Sequence, residues 1–377
     1  MQITAITTFP VFNGFRTWLF VVVDTDEGIW GIGESNLTSR EQAVIGFVAH
    51  VTPLLIGQDP SRIEYLWQTL FRGGFFPADR VGASAIAAID TALWDIAGKV
   101  HGVPVYRLLG GLVRDKVVCY PHNGGSTVEA LVEDCRRTGE LGYRFVRWAL
   151  EAVDNVLEPR QAVRRALRQC EAVRAALGDE VELCLDVHTR LDPADATTLC
   201  REIEVYRPYF VEDPIRSEDT NAYRTLRART GVPLAAGEQF ASKWEYRQLI
   251  EEDLIDYARV DPTLGAGLTE SRKIAGWCET HYINLAPHNP NGPVSTAACL
   301  HLCLASPNVG VLELPRPLWD VLPDVFPVTP LFADGYLLPP TEPGLGVEFD
   351  RVAAARHGFR MAELPHLCRQ DGAFTNW

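Results

Sequence analysis

The chain has 377 residues, 47% of them hydrophobic and 22% charged, which suits a soluble protein of one large barrel with an appendage. Its net charge of −14 argues against nucleic acid or an anionic membrane surface as the main partner, but leaves room for a small anionic substrate held locally by a metal ion and arginines. The nine cysteines, odd in number and without a CxxC pair, read as reduced apolar residues; the N-terminal MQITAITTFPVF lacks signal-peptide order and no uncharged apolar run nears the ~18 residues of a membrane span, so a cytoplasmic protein is expected.

In chain order, TWLFVVVD (17–24), the turn TDEG and IWGIGES predict a hairpin. From Arg40 to Val100 helical periodicity takes over and ends in SAIAAIDTALWDIAGK, a packed helix of small residues with Ile and Leu at i, i+3, i+4 spacing. Residues 1–115 are therefore expected to form an N-terminal α+β module. From Val117 the texture changes. VVCY, YRFVRWA, VELCLDVH, YFVEDPI, PLAAGEQF, DYARVD, YINLAPH and VGVLELP read as strands, with helical stretches between most of them. Eight strands alternating with helices predict an α/β barrel over residues 116–325.

Polar residues recur near these strand ends. Asp186, Glu212, Glu238, Asp261, His288 and Glu313 lie 26, 26, 23, 27 and 25 residues apart. About 25 residues is one strand, loop, helix and loop, so one polar group falls near the end of each successive strand. The C-terminal strand ends form the catalytic face of a barrel. Each acid alone could be a helix cap or a solvated loop residue; six in register are hard to explain that way.

Three carboxylates from neighbouring strands, Asp186, Glu212 and Glu238, repel one another unless a cation lies between them. The set is all oxygen, which suits Mg²⁺ better than zinc. His288 lies two strands beyond Glu238, and Asp261 one strand before it could hold the other ring nitrogen, giving an oriented general base. His188 stands two residues after Asp186, and in an extended strand both would project to one side. Two acid/base groups across a metal-bound substrate suit an elimination. Arg147, near the end of the second strand, could hold a carboxylate or stabilise an enolate, or could be a surface salt bridge. GIGESN and GAGLTE are not complete GxGxxG fingerprints, so nucleotide binding lacks support.

At these residues the sequence resembles the enolase superfamily, in the sugar-acid dehydratase part of the mandelate racemase/muconate lactonizing group. The resemblance covers nearly the whole chain, through LIGQDPSRIEYLWQ, SAIAAIDTALWDIAGKVHGVPVYRLLGG, LDVHTR, FVEDPI, PLAAGEQF, APHNPNGP, PGLGVEFD and DGAFTNW. It implies a modified TIM barrel, (β/α)7β, beneath an N-terminal α+β capping domain that residues 326–377 return to complete. It implies Mg²⁺ on Asp186, Glu212 and Glu238. It implies that His288, oriented by Asp261, removes the C2 proton of a sugar acid and that His188 protonates the leaving C3 hydroxyl, giving a 2-keto-3-deoxy sugar acid; a Lys or His base working with Mg²⁺ is characteristic of enolase-superfamily sites. Glu313 would hydrogen-bond the substrate carboxylate or the enediolate. A homo-oligomer is expected.

Two subfamilies compete. The Asp261–His288 pair and APHNPNGP resemble galactonate dehydratases, which carry Lys at the position of Arg147. Mannonate dehydratases resemble the chain at Asn36, His122 and Arg147, which would bind substrate, and in SKWEYRQLIEEDLIDY; they pair their Arg with a Tyr from the following loop, and here that loop, ALEAVDNVLEPR, has none. LELPRPLWDVLPDVFP departs from both groups. D-galactonate or a related aldonate ranks first; D-mannonate or D-gluconate dehydration, racemisation or epimerisation, and non-catalytic binding of metal and sugar acid are the alternatives. Arg147 is a poor base, which disfavours racemisation.

Overall fold

The run TWLFVVVDT is apolar almost throughout because it serves two cores at once. In the computed structural model, which describes residues 1–265 and 267–377, it forms strand β2 (Thr17–Thr25) between β1 (Ile3–Phe12) and β3 (Trp30–Ser35) in an antiparallel sheet. Side chains alternate along a strand. Leu19, Val21 and Val23 face one core, shared with helices α1 (Glu41–Leu55), α2 (Ile63–Arg72) and α3 (Arg80–His101). Trp18, Phe20 and Val22 face the other, which is continuous with the rest of the molecule. The predicted hairpin is β2–β3; β1, outside that reading, completes the sheet.

Helix α3 starts at the Asp79 cap, whose carboxylate accepts from the Gly82 N–H, and stops at Gly102 in the left-handed conformation. It lies directly on β3. Gly31 and Gly33, two apart and so on one face, have no Cβ, and one built there would meet the carbonyls of Ala92 and Ala88 at 2.0 and 1.8 Å. The GIG of IWGIGES is thus a close-packing seam.

After the short α4 (Val105–Leu108), strands and helices alternate: β4 (Val117–Tyr120), α5 (Val128–Glu140), β5 (Phe145–Ala149), α6 (Pro159–Leu177), β6 (Glu182–Asp186), α7 (Pro193–Ile203), β7 (Phe210–Glu212), α8 (Ala222–Arg227), β8 (Leu234–Ala236), α9 (Lys243–Glu251), β9 (Tyr257–Ala258), α10 (Gly267–Thr280), β10 (Asn284–Leu285), α11 (Pro293–Ala305) and β11 (Leu312–Glu313). These are seven β/α units and a final strand, the expected (β/α)7β order, with each predicted strand at its place. Parallel ladders run from β5 to β10 in sequence, and β11 pairs in parallel with β4. At the two seams backbone contacts bridge the ring: Asn123 N–H to Arg147 O at 2.7 Å on one side, and Leu285 N–H to Asn308 O at 2.7 Å with Gly310 N–H to Leu285 O at 2.8 Å on the other. The hairpin β12 (Phe332–Ala333) and β13 (Tyr336–Leu337) adds to β4. Helix α12 (Arg351–His357) then packs near β1, with Arg351 on Asp24 at 2.7 Å, and the chain ends beside the barrel mouth, where Thr189 Oγ1 donates to Trp377 O.

The barrel interior explains the strand-end pattern. Tyr120, Phe145, Cys184, Phe210, Ala286 and Val311 form an apolar plug. Two residues further along each strand, on the same inward face, stand His122, Arg147, Asp186, Glu212, His288 and Glu313. The polar mouth is thus the next layer above the plug. All nine cysteines are unpaired and eight are buried, as small apolar residues would be.

Candidate active site

Strand β6 ends at Asp186, and the chain turns at once. His188 and Thr189 adopt φ of 52° and 57°, the left-handed region that residues with a Cβ rarely enter. Strand alternation therefore does not bring Asp186 and His188 together, contrary to the expectation from an extended strand. The turn does, folding the histidine back onto the aspartate. His188 N–H donates to Asp186 Oδ1 at 2.7 Å, and its ring Nε2 lies 2.7 Å from Oδ2. The Arg147 guanidinium pairs with the same carboxylate and lies 3.3 Å from His188 Nε2. Although burial alone would raise it, Arg147 and His188 hold the Asp186 carboxyl far below its ordinary range. His188 is pulled downward, by burial first and then by Arg147 and Arg190, against the pull of Asp186. Its Nδ1 is buried without a partner among the described residues.

Across the mouth, His288 Nδ1 is 2.8 Å from Asp261 Oδ2, and its Nε2 faces Glu238 Oε2 at 3.8 Å. Asp261 is fixed in turn: Oδ1 accepts from Thr263 N–H and Oγ1, both at 2.7 Å, and Oδ2 also accepts from Asn36 Nδ2 at 3.3 Å. Burial opposes charge on His288, but Glu238, Asp261 and Glu313 outweigh it and push the imidazole up to about 9.

Glu313 takes contacts from three sides: His122 Nε2 at 2.5 Å, Arg259 Nη2 at 2.6 Å and the Asn289 N–H at 2.8 Å. Despite burial, Arg259 and the His122 hydrogen bond hold it well below the carboxylate range. Arg259, wholly buried, is the hub that the sequence reading missed. It lies 2.6 Å from Glu212, 2.6 Å from Glu313 and 3.7 Å from Glu238. A signal for it existed: Arg259 stands two residues after Tyr257, which packs on the apolar plug, and two before Asp261. Through it the ten expected site residues form one network. Contacts run from Asn36 through Asp261, His288, Glu238, Arg259, Glu212, Arg147 and Asp186 to His188, and branch at Arg259 to Glu313 and His122.

The carboxylates meet the demands of a hard dication. Oxygens of Glu212, Asp213 and Glu238 lie within 4.8 Å of one another. Glu212 Oε1, Asp213 Oδ2 and Glu238 Oε2 are buried without a hydrogen bond among the described residues; Arg259 Nη2 is near Glu212 Oε1 but not in bonding geometry. Buried carboxylate oxygens left this way are costly unless a cation takes them, and an all-oxygen set suits Mg²⁺. Asp213, absent from the expected set, enters this cluster because the chain reverses at φ 38° just after Glu212. Asp186 is the direct cross-strand neighbour of Glu212, but its oxygens face Arg147 and His188.

Two family domains match the chain: the mandelate racemase/muconate lactonizing enzyme N-terminal domain over residues 7–110, and the enolase C-terminal domain-like family over 130–353. Among its relatives, a D-galactonate dehydratase of Ralstonia nicotianae is 38% identical over the whole of both chains. A D-mannonate dehydratase of Caulobacter sp. (strain K31) is 36% identical over 96% of each. The crystal structure of an enolase from Pantoea ananatis with bound D-gluconate and magnesium superposes with a TM-score of 0.94, at 31% identity and 99% coverage of both chains.

Proposed function

The chain belongs to the mandelate racemase/muconate lactonizing enzyme family of the enolase superfamily, and from that premise we propose that it is a magnesium-dependent dehydratase of a sugar acid. The observation that carries this reading is the placement of two differently held histidines, His288 on Asp261 and His188 on Asp186, on either side of the carboxylate cluster. Racemisation needs a base on each face of C2, and the group beside His188 is Arg147, which stays protonated. Elimination needs one proton acceptor and one proton donor, and two imidazoles held on separate aspartates can fill those roles.

In this reading Asp186, Glu212 and Glu238 hold Mg²⁺. Asp186 is retained over Asp213 because it ends its own barrel strand in register with Glu212, its direct cross-strand neighbour, as Glu238 follows from the next strand but Asp213 only continues past Glu212. Bound there, Mg²⁺ would stabilise the charge that develops on the C1 carboxylate as the C2 proton leaves. The proton goes to His288 Nε2, since Nδ1 is committed to Asp261. The C2–H electrons form the C2–C3 double bond as the C3 oxygen departs with its bonding pair. His188 supplies the proton that releases it as water; Nδ1 is the nitrogen without a partner, Nε2 being held by Asp186. Asn36, His122, Arg147 and Glu313 line the same network and position the substrate. The enol tautomerises to a 2-keto-3-deoxy acid.

D-galactonate or a stereoisomer comes first, because the base is an Asp–His pair on adjacent strands. The mannonate reading is weaker: Arg147 is bound to Asp186 and the 150–158 loop has no tyrosine to pair with it. A panel of hexonates, pentonates and aldarates with Mg²⁺, assayed for 2-keto product, tests the proposal. Turnover of at least one is expected, and none across the panel sinks it.

A further inference from the structure

The segment after Glu313, LPRPLWDVLPDVFP, folds without regular secondary structure. Leu318 and Val321 anchor it in the main core, and Pro315 and Arg316 are turned to a cavity of about 400 Å³. Facing them across this cavity is the β1–β2 turn, with Phe15 and Arg16. The lining also includes His122, whose Nε2 is 2.5 Å from Glu313, and Asn291, three residues after His288. The cavity therefore adjoins the catalytic mouth.

Its lining contains two guanidinium groups and no carboxylate. Arg316 is exposed and has no hydrogen bond or ion pair with any described residue. Arg16 donates to Thr38 Oγ1 at 3.2 Å and to the Pro290 carbonyl, both uncharged, and makes no ion pair among the described residues. Its proton is disfavoured by burial and supported only through space by Glu34 and other acids. His122, driven down to about 4 by burial and Arg147, is uncharged at neutral pH and serves as a hydrogen-bonding wall. Asn291 is 4% exposed, and its Oδ1 is buried with no partner among the described residues, an acceptor waiting for a donor such as a hydroxyl. Two unpaired guanidiniums and a free amide acceptor match a polyol chain that ends in an anion.

Resting on the sugar-acid reading, we propose that this cavity receives the end of the substrate remote from C1. It favours a sugar acid with a second anionic group at that end, a terminal carboxylate or phosphate, over the matching aldonate, and so refines the substrate order by placing the diacid or phospho-acid of the same configuration ahead of D-galactonate. A terminal CH2OH would leave both guanidiniums without a counter-charge, Arg16 keeping only its uncharged partners. An anion would gain charge-assisted, potentially bidentate hydrogen bonds and be drawn in by the local field. Hydrogen bonds to charged groups correspond to a preference of about tenfold or more.

The test measures kcat/KM and calorimetric Kd, with Mg²⁺ present, for galactarate against galactonate, for glucarate against gluconate, and for 6-phosphogluconate. A diacid or the phospho-acid should exceed its matching aldonate by about tenfold or more. The carboxylate and phosphate arms separate the two anions. Arg316→Ala, at an exposed position, should bring that ratio toward one, and Arg16→Gln should lower it. Equal or better use of aldonates by the native enzyme, or a ratio unmoved by Arg316→Ala, overturns the proposal. Turnover of aldonates with no diacid preference rejects the cavity assignment and leaves the dehydratase reading standing. Tighter binding of a diacid without any turnover does the reverse.

Discussion

The β5–β6 side of the barrel mouth and the β8–β11 side each hold a histidine against an aspartate, in opposite electrostatic surroundings. His188 lies among Arg147, Arg190 and the Trp377 ring, 5.3 Å away, and is biased toward the neutral form. His288 lies among Asp261, Glu238 and Glu313 and is biased toward the protonated form. The proposed reaction needs the reverse: a neutral base at His288 and a proton at His188. A dication beside Glu238 would oppose protonation of His288, because it would offset the strongest of the three acids acting on the imidazole. An arriving substrate carboxylate would draw on the cations near His188. The difference between the arcs therefore lies in the sign of the charge around each imidazole, which Mg²⁺ and a substrate carboxylate would each offset.

The most direct way to break the comparison is at the anionic arc. His288→Asn removes the base, and C2–H exchange into deuterated water and dehydration should both fall by about 10⁴-fold. Exchange that survives places the base elsewhere. On the other arc, His188→Asn should cut dehydration by about 10²- to 10³-fold while C2 exchange continues, since only the acid is lost. Parallel loss of both activities would mean that His188 is not a dedicated acid.

The comparison also sharpens the metal assignment. Asp186 belongs to the cation-rich arc and Asp213 to the carboxylate cluster, and only one can be the third ligand. Asp186→Asn should weaken Mg²⁺ binding by more than about tenfold in a calorimetric titration, with Asp213→Asn the milder change. The opposite order would move the site toward the cluster of Glu212, Asp213 and Glu238 and free Asp186 to act only through Arg147 and His188.

These arcs show which features a sequence can carry. The pitch of about 25 residues was legible because each strand, helix and pair of loops has a nearly fixed length, and the layer above an apolar plug recurs at i+2 on each inward face. Hence the strands were readable, and so was the meeting of ten named residues in one contact network at the mouth, from Asn36 and His122 in the resemblance to Glu313 in the register, while their roles belong to the proposed function. The turn at His188 was not, because left-handed φ at a residue other than glycine leaves no compositional mark. Arg259 was missed because an arginine inside a barrel has meaning only beside its acids, and Glu313 is 54 positions away. Glu34 was missed for the same reason at greater range. It sits in the N-terminal sheet and holds a backbone 258 residues on.

That last contact offers the smallest but cleanest test of how the anionic arc is held. The Glu34 carboxylate accepts from the Gly292 N–H at 2.7 Å and the Ser295 N–H at 2.9 Å, capping α11 from β3 and fixing the loop that starts at His288. Burial pushes Glu34 up to about 7, against those two hydrogen bonds and Arg16, with Asp261 adding to the rise. The folded protein thus keeps a proton that the unfolded chain has shed above the ordinary carboxylate range, so stability falls as pH rises from about 4.5 to about 7 and is flat outside that window. The ceiling on this change is roughly 3 kcal/mol. Glu34→Gln removes the titration. Urea unfolding should show the variant about 1 kcal/mol less stable than wild type at pH 5, where one N–H bond weakens, and equal or more stable at pH 8. Asp90, also raised to about 7 by burial, contributes the same sign to both proteins and cancels in the difference. A variant whose stability follows pH as steeply as wild type would mean that Glu34 is ionised throughout, and that the cap grips the anionic arc with a full charge.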